Sequence, residues 1–155
     1  MNTAHVMAER SLCDRDKVGA VVVSVGNRLV DTGYNGPPRG MHREETGCTN
    51  WCDRAQSVLQ ATQLGRARDL DAEYRDCPSI HAEANALLFG DRTQRQHGTI
   101  YITSGVCGGC AKLIANSGLK RVVCDTSHAA PHRDSGTWFD WLRNCGLRVD
   151  EMKHG

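Results

Sequence analysis

Two short clusters in this 155-residue chain combine side chains able to hold a metal with one able to move protons. His81-Ala82-Glu83 opens a segment rich in helix formers, and Cys107-Gly108-Gly109-Cys110 opens another. One imidazole and two thiolates suit Zn²⁺, and three protein ligands leave a fourth tetrahedral position open, as catalytic rather than structural zinc sites do. Zinc there would bring the pKa of water to near 7, and the positive end of each helix would favour thiolate over thiol. Glu83, two residues from the imidazole, is spaced to stand beside the metal without ligating it. It would take a proton from attacking water and return protons to the group under attack and to the group that leaves. A structural zinc, a redox Cys-x-x-Cys and a buried His/Cys group without metal are the competing readings. Cys-x-x-Cys alone does not separate them; His-x-Glu in the same order at helix starts favours the catalytic one.

The flanking pattern says what must position these residues. Val6, Met7 and Leu12 have helical spacing over 2–12, and Val18 to Val23 is a β-branched apolar run. Gly26-Asn27 is a turn signal, so 18–34 reads as an antiparallel hairpin, and Asn35-Gly36-Pro37-Pro38 forces a loop. Residues 41–78 read as an insert. Helices are expected over 79–90, 108–117 and 135–145, and strands over 99–103, 121–124 and 147–152. Strands alternating with helices after a hairpin predict a layered α/β sheet with βαβ crossovers in one domain spanning 1–155.

Composition narrows the partners. With 19 basic and 18 acidic side chains the formal charge is +1, and three Trp, three Tyr and two Phe offer few stacking platforms. Neither property suits a nucleic-acid groove, so a small ligand is expected. The first ten residues lack the basic and apolar regions of a signal peptide, and no apolar run approaches the roughly 20 residues that span a bilayer. The reading is cytoplasmic, with no membrane and with the eight Cys reduced or metal-bound rather than in disulfides.

The ordered set Val18-Gly19-Ala20-Val21, Gly33 to Gly40, His81-Ala82-Glu83-Ala84-Asn85-Ala86-Leu87-Leu88 and Cys110 to Ile114 with Ser117 to Lys120 resembles the deoxycytidylate (dCMP) deaminases of the zinc-dependent cytidine deaminase superfamily. The similarity runs from about residue 10 to about residue 150. The resemblance implies a three-layer α/β/α fold, a mixed five-stranded sheet between helices, with Zn²⁺ on His81, Cys107 and Cys110 and Glu83 as proton shuttle. It implies hydrolysis of dCMP to dUMP and ammonia, feeding thymidylate synthesis, in a homo-oligomer such as a hexamer. It also implies Asn35 and Ala82 at the substrate, and Gly33, Tyr34, Asn35 and Gly36 beside a regulatory site for dCTP and dTTP. For Tyr34 and Asn35 a half-buried strand aromatic and a turn residue are the plain alternatives.

Two positions depart from the pattern. Val106 stands where the family has Pro, which changes the wall beside the base. Asp125-Thr126-Ser127-His128 replaces a Tyr after the fourth strand, so His128 is a candidate to stack on the pyrimidine or, equally, an exposed loop residue. Arg15, Lys17, Arg39 and Arg133 are candidates for the phosphate. His42, Cys48, Cys52 and Cys77 are candidates for a second, structural zinc, with partly buried thiols as the alternative. Cys13, Cys124 and Cys145 read as small core residues. Another cytosine or modified cytosine nucleotide or base, and a non-catalytic zinc-stabilised nucleotide sensor, are the other functions weighed. Glu83 argues against the sensor, because binding alone needs no proton shuttle.

Overall fold

The computed structural model describes residues 1–13, 16–41, 77–127 and 135–153. In chain order the elements are α1 (Asn2–Ala8), β1 (Gly19–Val23), β2 (Leu29–Tyr34), α2 (Ala82–Phe89), α3 (Arg92–Arg95), β3 (Thr99–Ile102), α4 (Gly108–Ala115), β4 (Arg121–Asp125), α5 (Ser135–Asn144) and β5 (Arg148–Met152). The strands form one sheet in the order β2-β1-β3-β4-β5. β1 runs antiparallel to β2 and β3, while β3, β4 and β5 are parallel. Parallel neighbours need a crossover, and α4 and α5 supply the two.

Alternation along the strands sorts the helices into layers. Gly19 pairs with Tyr34 and Ala20 with Gly33, so Gly19 and Gly33 lie on opposite faces of the sheet. A β-carbon on Gly19 would meet the backbone of Ala4 and Ala8 in α1, whereas one on Gly33 would meet that of Ala82 and Ala86 in α2. Helix α1 therefore covers one face. On the other, Ala20, Val22, Ile100, Ile102, Val122, Cys124 and Val149 share a core with Ala86 and Leu87 of α2, Ala111 and Ile114 of α4, and Phe139 and Leu142 of α5. The mixed five-stranded sheet flanked by helices agrees with the sequence reading.

The differences are at the ends of elements. Helix α2 begins at Ala82 rather than at residue 79, because Ile80 is held as a strand-like bridge: Gly36 N donates to Ile80 O (3.1 Å) and Ile80 N to Gly36 O (2.8 Å). The four-residue α3 had no apolar period to announce it; Asp91 caps it by accepting from Thr93 N at 2.8 Å. Cys124 is buried as expected, but Cys13 is only half-buried and Cys145 is exposed, past the end of α5. Of the 41–78 insert, only Met41, Cys77 and Pro78 lie within the described residues.

Candidate metal centre

Each of the three ligand-type side chains sits at a helix N-terminus. His81 is the N-cap of α2, with extended backbone (φ −70°, ψ 151°), and Cys107 is the N-cap of α4 (φ −83°, ψ 165°). Cys110 lies one turn into α4, where its backbone N–H donates to Cys107 Sγ at 3.5 Å. The two helices pack side by side on the sheet, which brings their N-termini together. Arg95 fastens their opposite ends: its Nη1 donates to Leu87 O (2.5 Å) and Gly90 O (3.2 Å), and its Nε to Ser117 O (3.3 Å). A cation there also complements the negative C-terminal ends of both helices.

His81 Nδ1 lies 3.4 Å from Cys107 Sγ and 3.4 Å from Cys110 Sγ, and the three donor atoms fall within 4.8 Å of one another. Zinc bonded at about 2.3 Å to sulfur and about 2.0–2.1 Å to nitrogen, at tetrahedral angles, sets nitrogen and sulfur roughly 3.6 Å apart. The donor set fits that ion in both chemistry and spacing. Hydrogen bonding from the Cys110 thiol, helped by His81 and opposed by burial, pushes the Cys107 thiol down to about 3. The Cys110 thiol is pushed up, first by the same bond to Cys107, then by burial and by the Glu83 carboxylate. A divalent cation binds thiolate rather than thiol, so metal binding at this pair would release protons.

Glu83 is 2 % exposed, in the first turn of α2, on the core side of the helix next to Cys110. A carboxylate that deep is costly unless its surroundings hold it, and the N-terminal end of α2 lowers that cost. Gly33 fixes its depth. With no β-carbon at 33, the backbone of Ala82 and Ala86 rests directly on β2.

The 33–36 loop borders the centre. Its bridge to Ile80 lies one residue before His81, and Asn85 Nδ2 of α2 donates to Tyr34 O at 2.8 Å. Asn35 is buried; its Nδ2 donates to Asp16 O (2.8 Å) and its Oδ1 accepts from Val18 N (2.8 Å). Among the described residues, those bonds leave one amide N–H and one oxygen lone pair of Asn35 uncommitted. Ala82 is fully buried, and Val106 is 1 % exposed and belongs to the core. Lys17 and Arg39 are exposed and Cys77 is half-buried. His128, Arg15, Arg133, His42, Cys48 and Cys52 lie outside the described residues. Asn85, Arg95 and Gly33 carry positioning roles that the sequence reading did not assign, and no short-range signal in the chain announces them.

Residues 1–126 match the family described as "Cytidine and deoxycytidylate deaminase zinc-binding region". The chain belongs to this deaminase family. It is 40 % identical over 123 residues to the deoxycytidylate deaminase of Mycobacterium phage D29, covering 79 % of this chain and 88 % of that one. To the deoxycytidylate deaminase of Enterobacteria phage T4 it is 32 % identical over 170 aligned positions, covering 96 % and 86 %. Among solved structures, the dCMP deaminase of cyanophage S-TIM5 in complex with dCMP and dUMP superposes with a TM-score of 0.66 at 26 % identity, over 97 % of this chain and 92 % of that one. As a member of this family the deaminase is a zinc-dependent hydrolase, and its His/Cys/Cys cluster is the natural seat of the metal.

Proposed function

We propose that this deaminase hydrolyses dCMP to dUMP and ammonia, with zinc on His81, Cys107 and Cys110 and with Glu83 as proton shuttle. The carrying observation is the convergence of His81 Nδ1 and the two sulfurs at zinc spacing beside a buried carboxylate that lies outside the ligand cluster. Zinc bound there supplies Lewis acidity that makes hydroxide available at neutral pH. Glu83 takes the proton the attacking water loses and passes it to ring nitrogen N3. When the C4–N4 bond breaks, Glu83 carries the remaining hydroxyl proton to the amine, so ammonia leaves and C4 keeps the oxygen as a carbonyl.

The Gly33–Gly36 loop supplies the nucleotide's surroundings, with the spare amide N–H and lone pair of Asn35 available to sugar or base. Ala82 lines the same floor through its backbone, and His128 stacks on the pyrimidine. Response to dCTP and dTTP acts through Gly33, Tyr34, Asn35 and Gly36, whose bridge to Ile80 gives a short mechanical path to His81. A second, structural zinc on His42, Cys48, Cys52 and Cys77 ties the insert to the one deaminase domain.

Exposed Leu88 and Leu113 line a cavity of about 350 Å³ between α2 and α4, and Phe89, next to Leu88 in the chain, is exposed as well; this is the kind of apolar surface a homo-oligomer covers. No helix among the described residues is long and apolar enough to cross a membrane. Cytoplasmic placement follows from the substrate pool this reading assigns.

The deciding experiment offers purified protein dCMP, CMP, dCTP, deoxycytidine, 5-methyl-dCMP and cytosine and follows ammonia release, with and without dCTP as effector. Preference for dCMP is expected. Turnover of another member with dCMP inert would retain the zinc chemistry and reassign the pocket around Val106 and His128.

A further inference from the structure

Three of the six residues from Gly105 to Cys110 are glycine. Glycine loses more conformational freedom on ordering than any other residue, so a ligand turn of this composition needs restraint from outside to hold two sulfurs in register. The deaminase signature has Pro before the first Cys, where its fixed φ stiffens the turn, and Val106 gives up that restraint here.

Gly108 is the first residue of helix α4, with backbone dihedrals open to any residue. What bars a side chain there is Trp138 of α5. Its indole, through Cζ2, Cε2 and Cη2, fills the place where a β-carbon on Gly108 would stand. The ring is itself held. Trp141 meets it edge-on at 5.9 Å and 69°, and the ammonium of Lys112 lies 5.9 Å from its centroid. Gly108 and Lys112, one turn apart on the same face of α4, grip Trp138 at two points, while buried Phe139 and Leu142 anchor α5 in the core.

We propose that Trp138 is a positioning residue for the metal centre: its ring, seated on Gly108, holds the glycine-rich turn so that Cys107 and Cys110 keep their ligand arrangement. The proposal rests on the zinc reading of the site, since a turn without metal would need no such restraint. Partners that orient ligands from behind typically contribute about 10–100-fold in metal affinity, and Trp138 acts in that way through packing rather than through a hydrogen bond.

The test measures zinc transfer from the full-length enzyme to a chromogenic chelator, beside thermal stability, for Trp138→Phe, Trp138→Leu, Trp141→Leu, Gly108→Ala and the double variant Gly108→Ala/Trp138→Leu. Trp138→Phe lacks the outer ring atoms Cζ2 and Cη2 that reach Gly108 and is expected to release zinc faster than wild type but slower than Trp138→Leu. Trp138→Leu is expected to release it about 10–100-fold faster. Trp141→Leu removes as much aromatic surface from the same helix but leaves the Trp138 ring on Gly108, touching that ring only at its edge, so it should lower stability while speeding zinc release much less than Trp138→Leu. Gly108→Ala alone should also speed release, but the double variant should release no faster than Trp138→Leu, because the new methyl group then has room. Equal release from Trp138→Leu and Trp141→Leu, or multiplied effects in the double variant, would overturn the role of Trp138. A wild-type chain that binds no zinc would instead overturn the site reading on which it rests.

Discussion

Glu83 and Cys107 separate proton transfer from metal holding. Glu83 stands outside the three-atom ligand cluster, so Glu83→Gln should keep full zinc content and the wild-type melting temperature. Its kcat should fall by about 10²–10⁴, the usual contribution of a positioned acid–base group. Metal analysis and steady-state kinetics on one preparation check both halves. Cys107→Ser should behave oppositely. It removes a sulfur 3.4 Å from His81 Nδ1, so zinc content and melting temperature should fall together, because binding and folding are linked. Wild-type metal stoichiometry in that variant would contradict the ligand assignment.

At the scale of elements, the centre depends on how closely α2 lies on β2. Gly33→Ala would drive a methyl group into the backbone of Ala82 and Ala86 and lift the turn that carries Glu83. Overpacking of this kind costs about 1–3 kcal/mol, and here it should also lower kcat; urea unfolding and kinetics would read the two effects. At the far edge of the sheet, Arg121 Nε on β4 donates to Asp150 Oδ2 on β5 at 2.6 Å, and Arg148 Nε donates to Asp150 Oδ1 at 3.0 Å. Burial alone would raise the Asp150 carboxyl, but the hydrogen bonds and charges of Arg121 and Arg148 outweigh it and hold the group below the usual carboxylate range. A depressed pKa stabilises the fold above the unfolded value and is lost as pH falls through the folded one. Asp150→Asn should therefore cost at most about 1 kcal/mol at neutral pH, given solvent screening, and the difference from wild type should shrink once pH drops below about 4. Denaturation midpoints at neutral and acid pH, with and without added salt, would show it.

At the scale of the molecule, helices α2 and α4 carry the ligands at one end and an apolar surface on their outer sides. Leu88 is 68 % exposed and Phe89 76 %, two large apolar side chains in sequence at the end of α2. On the proposal that copies of the chain associate through this face, Leu88→Glu/Phe89→Glu should lower the mass measured by light scattering to that of one chain while leaving its zinc binding intact. An unchanged mass would rule this face out as a contact between copies.

Much of this protein was written locally. The β-branched run at 18–23, the Gly26-Asn27 turn and the alanine-rich stretch after His81 each fix an element through interactions among near neighbours. The metal chemistry was legible for the same reason, since His-x-Glu and Cys-x-x-Cys are short patterns whose spacing places each group at a helix start. What tertiary structure alone decided involves residues far apart in the chain. That Ile80 is a bridge rather than helix depends on Gly36, 44 positions earlier. That Asn35 is held by the backbone at 16–18, that Arg95 fastens two helices, and that Gly33 and Gly108 are glycines because Ala82, Ala86 and Trp138 occupy the space, follow from packing. Packing sums contacts over the whole core and leaves no periodic trace in any one segment, so those roles became visible only once the sheet and its helices were in place.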